Sequence, residues 1–251
     1  MTLTIHGCDL HYDIVGDGEP LLWLHGYFGI GDDWRHVFGA APPDGYRLIA
    51  PDLRGHGRST NPAGRFTFRA CADDMRDLLD HLGIDRVKAV GLSGGGLALL
   101  HLAIAAPDRV SAMVVVSAPT HFPEQARALQ RQSSFVELNE AERNAFRTRH
   151  PQNDDQIERL FASCRAFADD RDDVAFTPGI LGAVTADTLV VFGDRDPLYP
   201  VSIACDLYAA LPRGWLWIVP NGGHGPIFDV HAKPFVETTR SFLSGAFRRS
   251  P

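Results

Sequence analysis

Apolar residues in this chain fall in short runs, and their spacing alternates between two periods. Residues 2–5 and 10–15 read as short strands, the second ending in the turn cluster Gly16-Asp17-Gly18-Glu19-Pro20. Residues 21–24 form an unbroken apolar run, as expected of a strand buried on both faces, and 47–50 is a further strand stopped by Pro51. The period then changes. Residues 67–82 place Ala70, Cys71, Met75, Leu78, Leu79 and Leu82 at helical spacing, and Gly83 ends the helix. Residues 87–92 are strand-like, 97–106 form a strongly apolar helix ended by Pro107, and 110–117 is a β-branched run. Residues 189–192 and 215–219 are two more buried strands, with a helix over 201–211 between them and a closing helix over 234–247.

Strands alternating with helices imply crossover connections. The pattern predicts an α/β fold, a mostly parallel eight-stranded sheet with helices on both faces. Residues 119–178 break the alternation, being rich in Arg, Asp and Glu and carrying Phe122, Phe135, Phe146, Phe161, Phe167 and Phe176. Those rings need somewhere to be buried. The segment therefore reads as an inserted helical cap over one end of the sheet, on a core made of 1–118 and 179–251.

Composition narrows the class. At 251 residues, 45% apolar and 22% charged, the chain is neither disordered nor fibrous. Its 24 basic against 31 acidic residues leave a net charge of −7 and no basic stripe, which argues against nucleic acid. The longest apolar stretch contains His101 and is too short to span a bilayer. With no secretory pattern at the N-terminus, the expectation is a cytoplasmic, reduced protein without a membrane partner. Cys8, Cys71, Cys164 and Cys205 are scattered, so no metal or redox motif is signalled, and Cys71 is the one expected to be buried.

Candidate chemistry sits where strands end. Gly91-Leu92-Ser93-Gly94-Gly95 is G-x-S-x-G between a predicted strand and a predicted helix. The glycines allow a sharp turn that exposes the serine hydroxyl, and the helix N-terminus beyond it favours developing negative charge. The P-loop and dinucleotide-loop patterns do not fit these residues. A serine needs a base. Among eleven histidines, His224 stands out because it follows the last strand in the glycine-rich stretch Asn221-Gly222-Gly223-His224-Gly225. The base in turn needs an orienting acid. Asp194 and Asp196 both follow the 189–192 strand, and residue chemistry alone does not choose between them. The chain order is Ser, Asp, His. An oxyanion hole requires two backbone N–H groups. Gly94 follows the serine, and Tyr27 in His25-Gly26-Tyr27-Phe28-Gly29 follows the third strand.

Together these residues resemble the α/β-hydrolase superfamily, specifically its capped, cofactor-free bacterial esterase and lactonase-like group. The motifs that carry the resemblance are His25 to Gly29, Asp52-Leu53-Arg54-Gly55-His56-Gly57-Arg58-Ser59, the Ser93 turn, Gly193-Asp194-Arg195-Asp196 with Pro200, and His224. The resemblance implies Asp196 as the acid, and Arg54 and His56 as shaping a loop without reacting. It implies no cofactor and no metal. Gly94 departs from the bulkier residue common after the serine, which implies extra room beside the nucleophile. Relatives that open epoxides or displace halide use Asp where Ser93 stands. Serine implies hydrolysis of a carboxylic ester or lactone of a small, largely apolar substrate. Thioester hydrolysis, carbon–carbon bond hydrolysis and cofactor-free haloperoxidase or perhydrolase activity use the same triad, and a non-catalytic ligand receptor uses the same fold. The phenylalanines of the cap imply an apolar pocket, whereas its eight arginines would suit a carboxylate-bearing lactone. Monomer and homodimer are both compatible with the sequence.

Overall fold

Each run read as a strand becomes one in the computed structural model, which describes residues 1–247. The strands are β1 (Thr2–Ile5), β2 (Cys8–Val15), β3 (Glu19–Leu24), β4 (Tyr46–Pro51), β5 (Val87–Leu92), β6 (Val110–Val116), β7 (Asp187–Gly193) and β8 (Gly214–Val219). They form one eight-stranded sheet in the order β1-β2-β4-β3-β5-β6-β7-β8. The pairs β1–β2 and β2–β4 are antiparallel. The remaining pairs are parallel.

The helices are α1 (Arg35–Phe38), α2 (Phe68–His81), α3 (Gly94–Ala105), α4 (Glu124–Arg131), α5 (Glu140–Arg149), α6 (Asp154–Phe167), α7 (Pro178–Leu181), α8 (Val201–Ala210) and α9 (Ala232–Leu243). Strand side chains alternate between faces, which explains the unbroken apolar runs. Leu22 and Leu24 of β3, with Met113 and Val115 of β6, pack against α2, α3 and α8. Leu21 and Trp23, with Ala112, Val114 and Val116, pack on the opposite side against Val37 of α1 and Phe235 and Phe242 of α9. Cys71 is fully buried in the first of these cores, and all four cysteines are free.

Two helix boundaries differ from the sequence expectation. The helix α3 begins at Gly94, three residues before the apolar run, because Gly94-Gly95-Gly96 hides its start behind poor helix propensity. Glycine is required there, since a Cβ on Gly95 would lie 2.3 Å from the Leu24 carbonyl oxygen. The helix α9 stops at Leu243, and Gly245 turns the chain with φ +87°. The 3-10 turn Gly31–Trp34 and α1 show no readable periodicity because each is a single turn, yet Trp34 is fully buried.

Between β6 and β7 the chain leaves the sheet and builds α4, α5 and α6. Asn139 and Asn153 cap α5 and α6 by accepting the Glu142 and Gln156 N–H groups. Phe135, Ile157 and Phe161 form a small core with Phe28 and Phe146, while Phe122, Phe167 and Phe176 join the main core. Burying each ring contributes about 2–3 kcal/mol, which draws the segment down onto the sheet. The buried Arg127 guanidinium donates to the carbonyls of Phe122, Phe167, Ala168 and Asp170, satisfying groups at the end of α6 that helix geometry leaves unpaired. No helix among the described residues is long and apolar enough to cross a membrane.

Candidate active site

The β5 strand runs directly into Ser93, which adopts φ 49° and ψ −112° at the start of α3. A non-glycine residue in this region costs on the order of 1–3 kcal/mol. The turn is held by the Ser93 N–H, which donates to the Val116 carbonyl at 2.7 Å, and by the Leu97 N–H, which donates to the Ser93 carbonyl at 2.9 Å. Gly91 permits it, because a Cβ there would lie 2.7 Å from the Gly95 carbonyl oxygen.

The hydroxyl so presented meets an imidazole. Ser93 Oγ lies 2.9 Å from His224 Nε2, and His224 Nδ1 lies 2.9 Å from Asp196 Oδ2. An ionised carboxylate only accepts, so Nδ1–H donates to Asp196, and Nε2 is left to accept from the serine hydroxyl. The other oxygen, Asp196 Oδ1, accepts the N–H groups of Leu198 at 2.8 Å and Tyr199 at 3.1 Å. Asp194 points to solvent. The loops carrying Asp196 and His224 touch backbone to backbone. A Cβ on Gly193 would fall 2.0 Å from the Gly222 carbonyl oxygen, and the Arg195 N–H donates to that oxygen at 2.8 Å. Ser117, itself at φ 47°, holds the histidine loop from below: its Oγ accepts the Gly225 N–H at 3.1 Å.

Tyr27 and Gly94 adjoin one another. A Cβ on Gly94 would sit 3.2 Å from the Tyr27 backbone nitrogen and 3.0 Å from Phe68 Cε1. The room that a glycine leaves after Ser93 is therefore already taken by Tyr27 and Phe68, contrary to the extra space expected. Behind this loop lies a polar scaffold. His25 accepts the Leu53 N–H through Nε2 at 2.9 Å and donates through Nδ1 to the Gly26 carbonyl at 2.8 Å. Asp52 accepts the Gly31 N–H at 2.7 Å and the Arg58 N–H at 2.9 Å. Arg54 makes a buried bidentate pair with Asp74. The His56 ring packs against those of His25 and Tyr27.

One scaffold residue carries no sequence signal. His150, at the end of α5 and 1% exposed, accepts the Gly57 N–H at 2.8 Å and donates to the Phe28 carbonyl at 3.3 Å. Next to it, Arg149 pairs with Asp33 at 2.6 Å, and Tyr27 donates its hydroxyl proton to the Leu160 carbonyl of α6 at 2.8 Å. The helices between β6 and β7 are thus fastened to the loop that carries Tyr27. Burial pushes the His150 pKa down to about 4, and also lowers those of His25 and His56. A histidine neutral in the fold but titrating near pH 6.5 when unfolded binds more protons in the unfolded chain below that pH. Its contribution is complete above pH 6.5 and disappears as pH falls to about 4. Thermal or urea melts at successive pH values should show stability falling by roughly 1.4 kcal/mol per pH unit for His150 alone across that window. In His150→Asn the slope should be shallower. An unchanged slope would remove His150 from the account.

Ser93, Gly94, Tyr27 and His224 share the wall of a cavity of about 330 Å³ with Phe28, Phe68, Leu97, Phe122, Phe167 and Leu198. None of the eight arginines of 119–178 lines it. Arg127 is spent on backbone carbonyls, and Arg131, Arg147 and Arg149 on Glu124, Asp154 and Asp33. The cavity is mostly apolar, with Gln130 and Ser133 as neutral polar residues on its wall, and no arginine or lysine lines it. Among the described residues, no three His, Cys, Asp or Glu side chains converge as a metal site.

Comparison with known proteins shows the family to which the fold belongs. A family profile described as alpha/beta hydrolase fold matches residues 19–152, more than half of the chain. Epoxide hydrolase 2 of Siraitia grosvenorii is 37% identical over 123 residues, covering 48% of this chain and 38% of that protein. The chain thus spans about two fifths of the length of the first curated relatives it matches. A protein of Variovorax paradoxus, provisionally named carbamate hydrolase RutD, is 32% identical across 86% of this chain and 89% of its own. Among solved structures, the meta-cleavage product hydrolase CumD of Pseudomonas fluorescens superposes with a TM-score of 0.80 at 21% identity, over 98% of each chain. Est816, described as an N-acyl homoserine lactone degrading enzyme, gives 0.74 at 26% identity, over 96% of this chain and 100% of its own.

Proposed function

This chain belongs to the α/β-hydrolase fold family, and from that premise we propose that it is a serine hydrolase cleaving a carboxylic ester or lactone of a small, largely apolar substrate. The observation that carries the reading is the hydrogen-bonded line Ser93–His224–Asp196, with 2.9 Å at each step. His224 takes the Ser93 proton as Oγ attacks the ester carbon. The tetrahedral oxyanion then accepts the backbone N–H groups of Tyr27 and Gly94, each worth about 3 kcal/mol in the transition state. His224 returns the proton to the departing alcohol. A water molecule deprotonated by the same imidazole attacks the acyl-enzyme and releases the acid. Asp196 holds the imidazole in the required tautomer throughout. No step draws on a metal or organic cofactor.

Ester or lactone cleavage is favoured over epoxide opening because the nucleophile is a hydroxyl, where an epoxide calls for a carboxylate that remains attached as an ester. The likeness to Est816 supports the ester and lactone class. The absence of any arginine from the cavity wall argues for a neutral substrate over a carboxylate-bearing lactone. The helical insertion over 119–178 acts as the cap that sets substrate choice.

A fluorophosphonate probe should label wild-type protein on Ser93 and leave Ser93→Ala unlabelled. On p-nitrophenyl esters of increasing chain length, rates should climb to a maximum and then fall as the acyl chain outgrows the cavity. Folded wild-type protein that resists the probe would sink the hydrolase reading in favour of a ligand-binding receptor. Flat rates along the series would sink the apolar pocket alone.

A further inference from the structure

Tyr199 stands three residues beyond Asp196, and the two ends of this residue have separate employment. Its backbone N–H is given to Asp196 Oδ1 at 3.1 Å. Its ring is 4% exposed and stands edge-on to the His224 imidazole, with centroids 5.3 Å apart and planes at 69°. The Phe122 ring lies nearly parallel to it, at 6.5 Å and 25°. These contacts fix the direction of the phenol, and the residue forms part of the cavity wall beside Ser93 and His224. The hydroxyl has no hydrogen-bond partner among the described residues. Burial raises the phenol pKa far above its ordinary value, so the proton stays in place and the group remains a donor.

A donor on the cavity wall without a protein partner is free to bond an acceptor carried by an occupant of the cavity. The direction of proton transfer identifies which part of the occupant this is. The leaving alcohol oxygen must come within hydrogen-bond reach of His224 Nε2 to receive its proton. The Tyr199 ring stands edge-on to the same imidazole and shares the cavity wall with it. The oxyanion, by contrast, is turned toward Tyr27 and Gly94.

We propose that Tyr199 is a specificity residue whose hydroxyl donates to an oxygen carried on the alcohol part of the substrate, so that the preferred substrates are esters of hydroxylated or ether-bearing alcohols. This rests on the serine-hydrolase reading above. It narrows the substrate from an apolar ester to one with an apolar acyl part and a neutral, oxygen-bearing leaving group.

The test uses a matched pair, 2-hydroxyethyl butyrate and propyl butyrate, which differ by a hydroxyl in place of a methyl at the end of the alcohol. Wild type and Tyr199→Phe are compared by the ratio of kcat/KM for the two esters, followed by acid release, with fluorophosphonate labelling of both proteins alongside. The ratio should drop about tenfold in Tyr199→Phe, the worth of one neutral hydrogen bond in an enclosed site. A merely structural tyrosine would slow both esters together and leave the ratio unchanged. A ratio within about twofold of wild type, in a variant that still labels, overturns the assignment of Tyr199 and leaves the hydrolase reading standing. Failure of wild type both to label and to hydrolyse either ester overturns both.

Discussion

Ser93→Ala should lower kcat on p-nitrophenyl butyrate by about 10⁴- to 10⁶-fold while the protein remains folded. The loss falls on chemistry because the hydroxyl removed is, among the described residues, the one that hydrogen-bonds His224 Nε2. Alanine occupies the same φ 49° backbone without new strain, and loses only the contact with Nε2. Steady-state rates with circular dichroism as the check on folding would measure it. A variant that kept a tenth or more of wild-type kcat would place the nucleophile elsewhere.

Asp196→Asn should cost roughly 10⁴-fold in kcat, with little change in KM. Asparagine can still pair with the imidazole, but its NH₂ group invites Nδ1 to accept. The ring proton then sits on Nε2, which can no longer take the proton from Ser93. The Leu198 and Tyr199 N–H groups need an acceptor, which the amide oxygen supplies, and this favours that orientation. Asp194→Asn, two residues away and exposed, should stay within about twofold of wild type, the range ordinary for a surface substitution. Equal losses in the two variants would show that loop charge matters and that the hydrogen bond to His224 does not.

Much of this was legible in the sequence, for reasons that can be traced. The strands from β3 to β7 are covered on both faces, so each reads as an apolar run needing no knowledge of its neighbours. The Ser93 turn is a local affair of glycine spacing, and so is legible too. The choice of Asp196 was different. What separates it from Asp194 is a turn that brings the Leu198 and Tyr199 N–H groups back onto one carboxylate oxygen, and only the family pattern with Pro200 pointed to it. The glycines that make the Ser93 turn also concealed the true start of α3. His150 was out of reach altogether. Its partner Gly57 lies 93 residues earlier, and nothing in the residues around His150 announces a partner so distant. The cap arginines misled in the opposite sense. Their number suggested a carboxylate site, but seven of the eight guanidiniums, all but that of Arg159, have closer employment on carbonyls or acids, and none of the eight lines the cavity.

Ser117 directly follows β6, two residues before the helical insertion begins at 119. Its hydroxyl also anchors the loop that bears His224. The position of the imidazole is therefore indexed to the root of the insertion. Anyone exchanging that insertion for another, to redirect the enzyme to new substrates, would have to cut after residue 117. A chimera joined one residue earlier would import a foreign side chain at the anchor. It would then be expected to lose activity on every ester, whatever pocket the new helices formed.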